Sequence, residues 1–335
     1  MPREAKETST IEQKREEALF LLTPYPSLLL AVSGGPDSIA LMTLCAQWRL
    51  RDAHDIAVAT VDHGLRQESR AEARQVGRWA KAQGFKHHLL TWEGAKPKTR
   101  IQERARDARY ALLVDCARRI GAQAIVAAHH AEDQAETILF RLTRGSGVAG
   151  LAGMAPIARC GDVALTRPLL GFRKGELEDI CARAGQTFFR DPSNADESYA
   201  RVRLRKLAPL LAAQGLDVDA LLRLGTRAAR ADAALTHCAH ETFERALISS
   251  DTRCVELDGG ALIESPLDIL QRALVEAMSR LSPEPALRLD RLERACARLA
   301  AALVARAPLR ITLADILIEA REGRLRLRPA PPRRS

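Results

Sequence analysis

Along residues 28–143 the apolar positions come in two alternating textures. Residues 28–32, 56–61 and 124–128 are short, almost continuous apolar runs, and residues 87–92 have the same length. Between them lie longer segments, residues 39–45, 68–83, 101–120 and about 131–143, in which apolar positions recur every three or four residues. Continuous short runs suit strands covered on both faces, and the longer period suits amphipathic helices. Gly84 and Gly121 follow the second and third helical segments as C-terminal stops. In the fourth, Ala131, Ala135, Ile138, Leu139 and Leu142 form one stripe. Strand and helix alternating at these lengths predict an α/β fold, a Rossmann-like parallel sheet with helices on both faces.

After Thr143 the texture changes. Residues 144–153 are rich in glycine, a helix is expected over residues 173–184, and from about Leu204 the chain is helical and rich in Ala, Leu and Arg. Residues 309–327 carry short alternating runs that suit a small hairpin. The predicted organisation is a frayed, charged segment at 1–24, a catalytic α/β domain at 25–200, a smaller mostly α domain at 201–327, and a basic disordered tail at 328–335.

Composition narrows the classes. A chain of 335 residues that is 47% hydrophobic has enough apolar material for two cores. Its longest mostly apolar stretch, residues 19–32, is broken by two prolines and two hydroxyl residues, too short to span a bilayer. The charged N-terminus mixes acids with bases, unlike a signal peptide, so a cytoplasmic protein is expected. None of the seven cysteines forms a C-x-x-C pair, which argues against a zinc or redox pair. The net charge of +9 with only 4% aromatic residues favours phosphate-backbone contact over base stacking.

Two constellations carry chemistry. Ser33-Gly34-Gly35-Pro36-Asp37-Ser38 lies between the first strand and the first helix. A turn there aims backbone N–H groups at one point, beside the positive end of a helix dipole, and suits phosphate. It is neither a Walker A loop nor G-x-G-x-x-G; the plain alternative is a glycine-rich turn with Asp37 capping the helix. The second is His129-His130-Ala131-Glu132-Asp133-Gln134-Ala135-Glu136-Thr137, at a strand end and helix start. Asp133 and Glu136 share a face three residues apart, to hold Mg²⁺ or an amine, or merely to complement the helix dipole. The histidines suit either a site or a hydrogen-bonded core. Arg106 and Arg109 sit upstream on the long helix, where solvated arginines are common. Ligands of such sheets bind beyond the carboxyl ends of the strands, so both constellations and Asp62-His63-Gly64 face one crevice.

The hexapeptide is similar to the PP-loop of N-type ATP pyrophosphatases, which cleave ATP between the α and β phosphates. Further strings extend the likeness: Val61–Arg66 (VDHGLR), H-H-x-x-D-Q-x-E-T from His129, Arg167-Pro168-Leu169-Leu170, Asp191-Pro192-Ser193-Asn194, and the basic run Arg201-Val202-Arg203-Leu204-Arg205. Together they resemble tRNA(Ile)-lysidine synthases over about residues 28–211. Two departures stand out: Val202 replaces the asparagine of the family's R-N-R-x-R, and the extra C-terminal domain of the larger members has no full counterpart here.

The resemblance implies an ATP-dependent ligase that joins free L-lysine to C2 of the wobble cytidine in a CAU-anticodon tRNA(Ile), through an adenylated tRNA, releasing AMP and pyrophosphate. It implies ATP at Ser33, Gly34, Gly35, Pro36, Asp37 and Ser38, with Mg²⁺ held by Asp37. Arg109 and His129 would act at the reacting phosphate, Asp133 and Glu136 on lysine, and Arg201 and Arg205 on the tRNA. Three other readings compete: a PP-loop tRNA thiolase, a small-molecule amidating ligase, and a non-enzymatic RNA-binding module. The oligomeric state, a homodimer included, is left open.

Overall fold

The computed structural model describes residues 2–64, 68–94, 101–190, 200–282 and 287–331. The chain divides into two compact units, Met1–Thr226 and Arg227–Ser335. The first unit opens with α1 (Pro2–Phe20) and continues β1 (Ser27–Ala31), α2 (Pro36–Ala46), β2 (Asp55–Asp62), α3 (Ser69–Ala82), β3 (Lys86–Thr91), α4 (Ile101–Ile120), β4 (Ala124–Ala127) and α5 (Ala131–Leu142). A short α6 (Val148–Leu151), a hairpin of β5 (Ile157–Cys160) and β6 (Val163–Thr166), α7 (Lys174–Arg183) and α8 (Ala200–Ala213) follow.

These strands form one sheet in the order β3-β2-β1-β4-β6-β5. β1 pairs in parallel with β2 and with β4, β2 with β3 and β4 with β6, while β5 alone is antiparallel. The continuous apolar runs have a direct cause. Leu28, Leu30 and Val32 belong to the core that includes Ile39 and Met42 of α2 and Val76 of α3. Leu29 and Ala31 belong to the opposite core, with Leu113, Cys116 and Ala117 of α4. A strand buried on both faces has no polar face to show. From β1 the chain winds outward through β2 and β3 and then returns to β4 on the other side. The crevice at this reversal lies beyond the carboxyl ends of β1, β2 and β4.

Two boundaries differ from the expected ones. Residues 1–24 are not frayed throughout: α1 ends against the first core with Ala18, Leu19 and Leu22 buried, and Lys14 pairs with Glu176 at 2.8 Å. The catalytic unit also runs past residue 200. On one face of α5, Ala135, Ile138 and Leu139 form a small core with Leu221, joined by Leu204 and Leu211 of α8. The α5 stripe is therefore buried as expected except for Leu142, which is 43% exposed.

α9 (Val218–Ala246) leads into the second unit, which holds β7 (Leu247–Ser250), β8 (Val255–Asp258), α10 (Gly259–Ile263), α11 (Leu267–Leu281), α12 (Leu289–Val304), β9 (Leu309–Leu313), β10 (Ile316–Arg321) and β11 (Arg324–Pro329). The expected hairpin is part of a five-stranded antiparallel sheet, β7-β8-β11-β10-β9. In β11, buried Leu325 and Leu327 alternate with exposed Arg324, Arg326 and Arg328, the two-residue period of a half-buried sheet. Strand β11 extends through Pro329, so the predicted disordered tail begins too early; residues 332–335 lie outside the described residues. Among the described residues no helix is long and apolar enough to cross a membrane.

The docking of α1 is testable. Leu22 is fully buried in the first core, so Leu22→Ala should cost about 2–5 kcal/mol of unfolding free energy. Urea denaturation checks this; a loss below about 0.5 kcal/mol, the ordinary size of a surface change, would mean that this segment does not pack.

Candidate active site

The apolar run of β1 ends at Val32, where the backbone turns into α2. Gly34 takes φ +93°, open to glycine but strained for other residues. A Cβ there would come within 2.9 Å of both Phe189 and Val76, and the Phe189 N–H donates to the Gly34 carbonyl at 2.9 Å. Gly34 thus serves close packing as well as the turn. Ser38 ties the loop internally: its hydroxyl accepts from the N–H groups of Ser33 and Gly34, both at 3.1 Å, and donates to the Gly35 carbonyl at 3.0 Å. Gly35 is the N-cap of α2 and Pro36 opens the helix. Asp37 therefore does not cap it. Its Oδ1 is buried without a hydrogen-bond partner.

Two cavities meet at this loop. One, of about 500 Å³, lies over the ends of β1 and β2, lined by Ser33, Gly35, Thr60, His63, Lys174 and Phe189 among others. The second, of about 570 Å³, lies over the ends of β1 and β4, lined by His129, Asp133, Arg106, Arg141, Met154 and Arg167 among others. Ala31, Ser33, Asp37 and Arg109 line both. Asp37 and Arg109 thus stand at the wall between two compartments.

The histidines have separate roles. His130 is the N-cap of α5, and its backbone N–H donates to Asp133 Oδ2 at 3.2 Å. Its Nδ1 lies 2.9 Å from Glu132 Oε2, and its Nε2 lies 3.6 Å from both Asp37 Oδ2 and Asp133 Oδ2. Burial alone would lower its pKa, but the Glu132 hydrogen bond and the carboxylates of Asp133 and Asp37 outweigh burial and raise it. His129 is brought down to about 4, by burial first and then by the positive charges of Arg167, Arg106 and Arg109 against the pull of Asp133. One imidazole is thus poised to carry charge while the other stays neutral. Burial raises the pKa of Asp37, and the Asp133 charge adds to the rise, while His130 opposes it.

The remaining predicted residues fall in different places. Glu136 lines neither cavity; it takes the Arg205 guanidinium in a bidentate pair, Arg205 Nη2 to Oε2 at 2.9 Å and Nε to Oε1. Arg201 belongs to α8, but its side chain lies outside the described residues, as do Leu65, Arg66 and Asp191–Asn194. Asp62 is structural. Burial would raise its pKa, but the Ser69 hydroxyl at 2.6 Å and the Gly64 N–H at 2.9 Å outweigh it and hold the carboxylate ionised. Arg141 and Gln134 fix the glycine-rich segment: Arg141 Nη1 donates to the Gly150 and Gly153 carbonyls, and Gln134 bonds both the N–H and the carbonyl of Met154.

Comparison with known proteins matches this architecture. A PP-loop domain model matches residues 7–211. A tRNA(Ile)-lysidine synthase from Methylobacterium sp. strain 4-46 is 47% identical, covering 92% of this chain and 90% of the relative. Another from Bradyrhizobium diazoefficiens is 43% identical, covering 98% and 97%. The chain belongs to the tRNA(Ile)-lysidine synthase family. Among solved structures, the U34-tRNA thiolase NcsA from Methanococcus maripaludis shares the fold at a TM-score of 0.54 and 13% identity, covering 65% of this chain and 78% of its own.

A tRNA(Ile)-lysidine synthase of the PP-loop class uses ATP, and the first cavity lies against the loop that gives the class its name. Its lining includes residues that the motif alone does not mark. Phe189 leans on Trp79 at 5.0 Å between ring centroids, and Lys174 and Arg190 come from beyond the β5–β6 hairpin. The second cavity likewise includes Arg141 and Arg167, the latter visible in sequence only as the first letter of Arg167-Pro168-Leu169-Leu170.

The charge on His130 sets a pH dependence. Its folded pKa is raised above 6.5, so its contribution is complete below about pH 6.5 and is lost as pH rises through the folded value. Without nucleotide or divalent cation, the wild type should lose more stability between pH 6 and pH 9 than His130→Gln does. Matching urea-unfolding slopes for the two proteins would remove the imidazolium from its place among the carboxylates.

Proposed function

We infer that the chain ligates L-lysine to the wobble cytidine of a CAU-anticodon tRNA(Ile) at the expense of ATP. The observation that carries this reading is the shared wall. A reaction that first transfers AMP to a base and then replaces it with an amine needs the α-phosphate reachable from two sides, and Asp37 and Arg109 line both compartments.

The roles follow from the residues present. The N-terminal end of α2, with the loop N–H groups that Ser38 does not take up, faces the polyphosphate. The partnerless Asp37 Oδ1, a hard oxygen beside that loop, fits Mg²⁺, which would neutralise charge on the phosphates when bound. Arg109, half-buried and with no carboxylate partner among the described residues, stabilises the charge that builds on the α-phosphate as O2 of the cytidine attacks and pyrophosphate leaves. In the second step the side-chain amine of lysine attacks C2, the C–N bond forms and AMP departs. Asp133 holds the amine, and neutral His129 offers a ring lone pair to its proton. Each separate role for Glu136 on lysine and Arg205 on tRNA requires their ion pair to open. As it stands, the pair fastens α8 to α5.

The competing thiolase reading loses ground on one observation: among the described residues no cysteine lines either cavity. Buried Cys45 and Cys181 are held protonated, their pKa values pushed by burial to about 12 and about 11.

The deciding assay is pyrophosphate release with purified tRNA(Ile) transcript, with and without lysine, together with mass analysis of the wobble nucleoside. Product carrying lysine, formed only with ATP, is expected; product carrying sulfur, or none, would overturn the reading. Asp37→Ala should retain the fold and lower the rate about 10²–10³-fold, the scale of one electrostatic group. Near-normal turnover in that variant would take Asp37 out of the reaction.

A further inference from the structure

α9 carries a line of uncompensated positive charge. Arg223, Arg227 and Arg230 are spaced four and three residues apart, so they share one face of the helix, and all three are exposed. The opposite face is the buried one, with Leu221, Gly225 and Ala228. A solvated helix face ordinarily mixes acids with bases, but residues 220–231 contain no acid. The four acids of the helix each pair with a residue outside the stripe, Asp219 with Arg173 at 3.0 Å and Asp232 with Arg272 at 2.6 Å among them. Among the described residues none of the three arginines has an ion pair. Like charges at these spacings repel along a helix, and nothing in α9 offsets that repulsion.

The surroundings narrow the ligand. The exposed residues beside the stripe are small, Thr226, Ala229 and Ala231, so a backbone can approach closely. Among the described residues no large apolar side chain of α9 is exposed, which does not suit a lipid surface. A single small anion calls for a concave, converging site, whereas this stripe is straight and open. It spans about 10 Å of helix axis, and one nucleic-acid strand offers a phosphate about every 3 Å. The start of α9 also lies close along the site helix: a Cβ at Gly225 would come within 2.6 Å of Ile138 Cδ1 on α5.

We propose that Arg223, Arg227 and Arg230 form a contact line for the phosphate backbone of the tRNA substrate, outside the cavities where the chemistry takes place. The proposal rests on the tRNA-ligating function inferred above. Such contacts position the RNA and read no base. Arg205, taken up by Glu136, does not supply them.

The test measures binding of a tRNA(Ile) transcript to the full chain across a salt series, comparing wild type with the triple variant Arg223→Gln, Arg227→Gln, Arg230→Gln. Glutamine is a good helix former, so α9 should stay helical. Affinity at about 0.1 M salt should fall about a hundredfold, and the slope of log affinity against log salt should become shallower by about two to three, since each phosphate contact contributes about 0.7–0.9. The KM for tRNA should rise, with kcat at saturating tRNA and the KM for ATP unchanged. The corresponding triple lysine variant, which keeps the point charges, should retain the wild-type slope. An unrelated tRNA should lose affinity by the same factor, because backbone contacts carry no sequence information. A wild-type slope in the glutamine variant overturns the proposal alone, even where binding weakens, since the loss then comes from a distorted helix. A loss confined to tRNA(Ile) also overturns it, in favour of base readout. Wild-type protein that binds no tRNA at any salt overturns the lysine-ligase reading, and the proposal with it.

Discussion

The site depends on one topological constraint: β1 is flanked by parallel neighbours on both sides. Its backbone and both faces are consumed by the sheet and its helices, so at Val32 the chain can only leave along the strand axis. The turn that follows must deliver a helix N-terminus directly above the reversal between β2 and β4. Gly34 makes the turn, Ser38 closes it, and Phe189 holds it from a segment more than 150 residues later in the chain. The loop and the N-terminus of α2 are thereby held at the strand ends, and both cavities are lined by loop residues.

Much of this was legible because the causes are local or periodic. Residues 28–32 advertise burial on both faces by having no polar position, and the predicted strands lie within a residue or two of the observed ones. The loop chemistry was equally visible, since its glycines, serines and acid are contiguous. The sequence misled where the cause was long-range. α1 looks like a solvated charged segment because only its C-terminal end meets the core. Glu136 and Arg205 each look free for substrate, and only the fold places them together from 69 positions apart. The second sheet shows the same limit. The alternation in residues 324–328 marks a strand, but nothing local reveals that β11 also pairs with β8.

The domain boundary shows why composition is a weak guide to units. The Arg- and Leu-rich texture after Leu204 differs from the catalytic half, yet α8 completes the apolar cover of α5. A helix belongs to the unit that buries its stripe, whatever its surface charge. The helix that carries the basic run is therefore also part of the scaffold that holds α5.

The electrostatics of the catalytic unit separate scaffold from site. Glu132 is matched by His130 and by Arg173, Glu136 by Arg205, and Asp62 by a hydroxyl and an amide. Around the second cavity the pattern reverses. Arg109 and Arg167 carry charge that burial disfavours, their pKa values lowered by it, and among the described residues neither meets a carboxylate. Folding stability alone selects against such groups, because desolvation is not repaid by a partner within the protein. Beside a partnerless Asp37 oxygen, such groups suit the charges of reactants, the role proposed for this site. In the proposed function, phosphate is the partner of Arg109, and a cation on the phosphates is the partner of Asp37. The cost is carried in the ground state of the protein so that little reorganisation remains when the reaction begins.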